Sequence, residues 1–132
     1  MAIQAYIDDA GGKGQGPVFV FGGFVAPAEN WAAFSDTWQA ILDETPAILY
    51  FKMSEAANCK DGEFRHWSAS ARDAKVQKLA NIVRAHAAFA VSCSIDLSGF
   101  ASLVFRLRLQ APWNQPYHWL FHTVTAVFGN DM

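Results

Sequence analysis

The chain has 132 residues, 52% of them hydrophobic and 14% aromatic, and carries a net charge of −2. That composition excludes a disordered or low-complexity protein, and the charge excludes a generally basic nucleic-acid coat protein. The length suits a single domain, residues 1–132, with a core large enough to fold alone. Five Trp and eleven Phe are many for this size. The surplus points to cover from a partner or from further chain.

The first element is a short apolar strand, Ala5-Tyr6-Ile7, ending in Asp8-Asp9-Ala10-Gly11. A carboxylate buried beside a strand is costly unless a cation or donor compensates it. Asp8 and Asp9 therefore either hold a divalent metal or simply start the turn that Gly11–Pro17 forms. That turn is not a Walker loop, because no Gly-Lys-Ser/Thr follows. Val18–Val25 reads as a buried second strand, the hairpin partner of the first. Gly22-Gly23 inside it marks a bulge or a close backbone approach.

A helix is expected from Glu29 to Glu44, stopped by Pro46, with Trp31, Phe34, Trp38, Ile41 and Leu42 as its apolar stripe. Ala47–Phe51 reads as a third strand leading to Lys52-Met53-Ser54-Glu55, and residues 56–70 as an irregular excursion. Ser70 with Asp73 resembles a capping box opening a helix over 71–88, with Val76, Leu79, Ala80, Val83 and Ala87 on its buried face. Lys75, Lys78 and Arg84 are expected to be solvated. Ala90–Asp96 is a fourth strand, which a strand–helix–strand crossover makes parallel to its sheet neighbour. Residues 98–112 fit a helix better than a strand. Pro116 opens a last helix through Phe128, with Gly129-Asn130 as its stop signal.

Two strands end alike, in Tyr6-Ile7-Asp8 and Ser94-Ile95-Asp96. Strands of one sheet ending this way can hold Mg²⁺ or Mn²⁺ between their carboxylates, since hard cations take oxygen ligands and complete their shell with water and phosphate. Glu55 is a further candidate acid. Equally, Asp96 caps the segment Leu97-Ser98-Gly99. The charges are split, with nine acids against three bases in residues 1–63 and seven bases against three acids in 64–132. That suits a metal-dependent enzyme acting on a phosphodiester, or a protein that avoids self-repulsion. Lys52, Arg106 and Arg108 are the candidate phosphate-binding residues, without sequence readout.

His118 and His122 have the spacing of a zinc pair, but Trp119 stands where His-Glu-x-x-His has its Glu, so an aromatic helix with two His on its flank is the better reading. His66 reads as a surface His. Cys59 and Cys93 lack Cys-x-x-Cys spacing, no signal-peptide pattern precedes Ile3, and no apolar run nears the ~20 residues of a membrane span. The expectation is a cytoplasmic chain with reduced thiols and no membrane partner.

Tyr6-Ile7-Asp8-Asp9-Ala10-Gly11, Phe21-Gly22-Gly23-Phe24-Val25, Trp31 through Leu42, Phe51-Lys52 and Pro116-Tyr117 resemble, in this order, the bacterial and phage family catalogued as domain of unknown function 3800. The resemblance implies an α/β fold with a ribonuclease H-like mixed sheet and flanking helices. Asp9 stands where that family usually has Glu, Ala10 where it has Ser, and Lys52 where it often has His. Family members continue past the Pro-Tyr helix with another acidic strand and further helices, so the resemblance implies either a truncated or naturally short member, incomplete at its C-terminus, or one whose missing layer another chain supplies.

Two functions follow. One is a metal-dependent nuclease or phosphodiester hydrolase, or its degenerate relic, with Asp8, Asp9, Asp96 and Glu55 as catalytic acids, Asp8, Asp9 and Asp96 as Mg²⁺ or Mn²⁺ ligands, and nucleic acid as substrate. The alternative is a non-catalytic protein-binding or inhibitor module of a phage or mobile element, acting through an aromatic interface, with a homodimer as one form.

Overall fold

A computed structural model describes residues 1–12 and 14–130; Lys13, within the expected 11–17 turn, and the last two residues lie outside the described residues. The elements in order are β1 (Ile3–Gly11), β2 (Val18–Pro27), α1 (Ala28–Asp43), α2 (Met53–Asn58), a 3-10 turn at Gly62–Phe64, α3 (Ala69–His86), β3 (Phe89–Asp96), α4 (Leu97–Leu107) and α5 (Pro116–Asn130). They form two compact units, residues 1–3 with 26–88, and residues 4–25 with 89–132.

The helical unit packs α1 on α3. The expected stripe of α1 is used: Trp31 and Leu42 are buried, and Phe34, Trp38 and Ile41 lie against the core of Leu42, Ile48, Ala56, Phe64, Leu79 and Ile82. Rings run in a continuous series from Trp31 through Phe34, Trp38, Phe51 and Phe64 to Trp67, with successive centroids 5.0 to 6.0 Å apart. Three of these pairs are edge-to-face and one is stacked, arrangements that contribute beyond their buried area. Much of the aromatic surplus is therefore absorbed inside this unit.

Residues 47–51 do not form the expected third strand. The Ile48 N–H donates to Leu42 O and the Leu49 N–H to the Glu63 carboxylate, so the segment folds back onto its own unit instead of a sheet edge. Within 56–70, expected to be irregular, α2 and the 3-10 turn bury Ala56 and Phe64. The cap of α3 is Ser68, whose Oγ accepts from Ala71 N at 3.2 Å, rather than Ser70. Asp73, the expected partner of that box, binds Arg72 at 2.6 Å.

Lys75, expected to be solvated, is buried. Its Nζ donates to Ile41 O at 2.6 Å and Glu44 O at 2.8 Å, among the last carbonyls of α1. Helix-end carbonyls lack intrahelical donors and carry the negative end of the macrodipole, so an ammonium there is favoured. Arg72 does the same for α2, donating from Nη1 to Ala56 O at 3.1 Å.

The second unit holds an antiparallel sheet in the order β1-β2-β3. β3 pairs antiparallel with β2 from Val18↔Asp96 to Val25↔Phe89, not parallel to its neighbour as expected. The reason lies in residues 47–51: with no strand there, the chain leaves β2 near Val25 and returns beside it at Phe89, which makes a reversed pair. For the same reason the sheet is wholly antiparallel rather than mixed. Gly23 is the close approach, since a Cβ there would collide with Tyr6 O and lie 2.9 Å from Ile7 Cα. Gly22 is not under that constraint.

Alternation sends Phe19 and Phe21 of β2, Ile7 of β1, and Val91, Cys93 and Ile95 of β3 to one face, where they meet Leu120, Val124 and Phe128 of α5. Residues 97–107 are helical, as favoured. The last helix runs through Gly129-Asn130, so those residues do not stop it.

Lys75→Met is expected to lower stability in urea unfolding by about 1–3 kcal/mol, because two helix-end carbonyls lose their donor. Burial pushes the Lys75 amine below its ordinary 10.5. Between the folded value and 10.5 the unfolded chain binds the proton more strongly, so wild-type stability relative to Lys75→Met should rise with pH in that window. A fall there would contradict the buried placement.

Candidate functional site

β1 continues to Gly11, so Asp8 and Asp9 lie inside a strand and not at its end in a turn. Both are exposed, because β1 is an edge of the sheet, and their charge costs no burial. The Asp9 N–H donates to Asp8 Oδ1 at 2.9 Å. Among the described residues neither carboxylate forms an ion pair. Alternation places Asp9 on the Ile7 side, toward α5, and Asp8 on the opposite face.

Asp96 has a different role. It ends β3 and is the N-cap of α4, with Oδ2 accepting from Gly99 N at 2.6 Å and Ser98 Oγ at 3.0 Å. The capping reading is the one the geometry follows, and the helix N-terminus favours a carboxylate there. β1 and β3 both flank β2, so Asp96, paired with Val18, stands level with Gly11, whose Cβ would press on Val18. Asp8 is three residues back, about 10 Å along the strand and two strand spacings, about 9.6 Å, across the sheet. Two-metal sites hold their ions ~4 Å apart, so Asp8 and Asp96 are not gathered around one centre.

Glu55 and Lys52 belong to the helical unit. Glu55 Oε2 accepts from Glu63 N at 3.1 Å, and its Oε1 accepts from the Tyr50 hydroxyl at 3.3 Å and faces Lys52 Nζ at 3.6 Å. Gly62, at φ +62°, leaves the space this carboxylate fills. These contacts make Glu55 the organiser of its own loop. Arg106 lies in the last turn of α4 and Arg108 at its left-handed end, both exposed, and Arg106 is about 15 Å along the helix from Asp96.

Among the described residues no three His, Cys, Asp or Glu side chains form a metal-binding group. Asp8 and Asp9 supply two carboxylates facing opposite sides of a strand, which does not fit a hard divalent cation. His118 and His122 pack as rings 4.4 Å apart against Trp113, and Trp119 Nε1 donates to Trp113 O at 2.7 Å, an aromatic cluster pinning the 109–115 loop to α5. His66 is exposed in a left-handed turn, its N–H donating to Cys59 O. Both thiols are free, and no helix among the described residues is long and apolar enough to cross a membrane.

Two grooves were not anticipated. One, of about 380 Å³, lies between the sheet and α5, where Asp8, Asp9, Phe21, Tyr117 and Phe121 meet. The other, of about 700 Å³, runs along α4, lined by Phe19, Phe100, Val104, Phe105 and Tyr117. The period-2 placement of Asp9 with Ile7 was the available sequence signal for the first. The second needs the path of the 109–115 loop, which no local pattern gives.

Asp96→Ala should cost about 0.5–2 kcal/mol in urea unfolding through loss of the α4 cap, with Asp96→Asn close to wild type. Asp8→Asn and Asp9→Asn, on an exposed edge, should each stay within about 0.5 kcal/mol. An Asp96→Ala chain as stable as wild type would contradict the capping role.

Comparison with known protein families, curated proteins and solved structures finds no match to this chain.

Proposed function

We propose that this chain is a protein-binding module acting through the apolar surface of α4, the 109–115 loop and α5, with a second copy of itself as partner. The observation that supports it most is how much large apolar surface these elements leave in water: Phe105 is 84% exposed, Leu107 60% and Tyr117 54%, with Phe121 and Trp113 near half. α4 buries Phe100 and still leaves Leu103, Phe105 and Leu107 in water.

At about 100 Å² from each of the five most exposed side chains, the surface reaches roughly 500 Å², the upper range for a monomer's largest apolar patch. Two such surfaces face to face bury about 1,000 Å² before any polar rim is counted, the threshold of a specific interface. Trp, Tyr and Phe beside Arg106 and Arg108 are the residue types that anchor binding surfaces, and no Asp or Glu falls between Leu97 and Asn130. The groove along α4 offers a pocket for an aromatic anchor. A ribonuclease H-like ancestry is compatible with a three-stranded antiparallel sheet whose third strand arrives after three helices and leads into two more. Hydrolysis would need a further oxygen ligand beside Asp8 and Asp9, and Asp96 is engaged with α4.

Sedimentation velocity from about 1 to 100 μM should show wild type passing from monomer to dimer, and Phe105→Asp remaining monomeric with an unchanged unfolding midpoint. A wild type monomeric throughout would contradict the second copy as partner. Mg²⁺-dependent cleavage of nucleic acid that disappears in Asp8→Asn would contradict the binding-module reading itself.

A further inference from the structure

The 380 Å³ groove between the sheet and α5 is within the size range of small-ligand sites. Its floor and walls are apolar and aromatic, with Phe21, Tyr117, Phe121 and Phe128 among them, and its polar rim carries Asp8 and Asp9. Among the described residues that line it there is no Lys or Arg. Among the described residues no donor pairs with the Asp9 carboxylate, while Asp8 Oδ1 accepts only the Asp9 N–H. Asp9, sharing the Ile7 face of β1, is directed toward α5 by alternation.

We propose that this groove is a binding site for a small organic cation, a primary ammonium carried on a flat apolar body. Two features select that chemistry together. The Asp9 carboxylate, with no counter-ion among the described residues, gives the rim a negative potential, and the faces of aromatic rings carry a negative quadrupole that attracts cations. The apolar lining rewards burial of a hydrocarbon body, which a hydrated metal ion does not have, and it offers no ring of oxygen ligands to replace metal-bound water. The ammonium sits at Asp9, and the apolar body lies along Ile7, Phe121, Val124 and Phe128, beside the packed pair of Phe21 and Tyr117. The site shares Tyr117 and Phe121 with the proposed dimer surface and is therefore open in the monomer.

The test is a titration of the full chain carrying Phe105→Asp, so that self-association does not enter, with benzylamine and with its neutral isostere benzyl alcohol, followed by the methyl NMR signals of Ile7 and Val124. Benzylamine should shift these signals and bind about three- to tenfold more tightly than the alcohol, the range expected for one exposed ion pair with cation–π support. Asp9→Asn should abolish that preference while the alcohol binds as before. Equal binding of amine and alcohol, an undiminished preference in Asp9→Asn, groove methyls that do not respond, or displacement of the amine by Mg²⁺ at matched ionic strength would each overturn the proposal.

Discussion

The contact between one face of the sheet and α5 is what the second unit depends on. Phe19, Phe21, Val91, Cys93 and Ile95 alternate onto that face and close over Leu120 and Val124. Burying side chains of this size contributes about 1.5–3 kcal/mol each, and a one-residue slip of β3 would turn its whole set into water. The register follows from this, and with it the place of every carboxylate. Asp96 falls at the last paired position, where the next residue must begin a helix. Asp9 falls on the α5 side of an edge strand, and Asp8 on the other. Burial on the same face pushes the Cys93 thiol above its ordinary value, consistent with a packing role.

The helical unit rests on a second constraint, the unsatisfied carbonyls at the ends of α1 and α2. Both are met by cations of α3, Lys75 on Ile41 and Glu44, and Arg72 on Ala56, while Lys78 pairs with Glu44. This changes the meaning of the charge split. Three of the seven bases in the second half of the chain are occupied within their own unit by acids and carbonyls of the first half. A split that suited a nucleic-acid enzyme is, for these residues, a matter of helix capping.

Elements with a strong period were legible in the sequence: the stripe of α1, the helix of 69–86, the strand at 89–96 and the helical choice for 97–107. Gly23 was legible as a close approach because only glycine admits the Tyr6 carbonyl there. Ala47–Phe51 was not, since an apolar β-forming run gives no sign of whether a sheet edge lies beside it. Lys75 was misjudged because a Lys on a helix is normally solvated, and its carbonyl partners are 31 and 34 residues away. Asp96 carried two readings, metal ligand and cap, and the helix that starts at Leu97 separates them.

The central claim is that Asp8 and Asp96 serve different structures, an edge strand and a helix cap, and share no ion. Paramagnetic broadening by Mn²⁺ in amide NMR spectra tests this most directly. The claim predicts that the Ser98 and Gly99 amides stay sharp at any Mn²⁺ concentration that broadens Asp8 and Asp9. Joint broadening of both pairs over the same titration, lost together in Asp8→Asn, would place one metal between the two strands and contradict it.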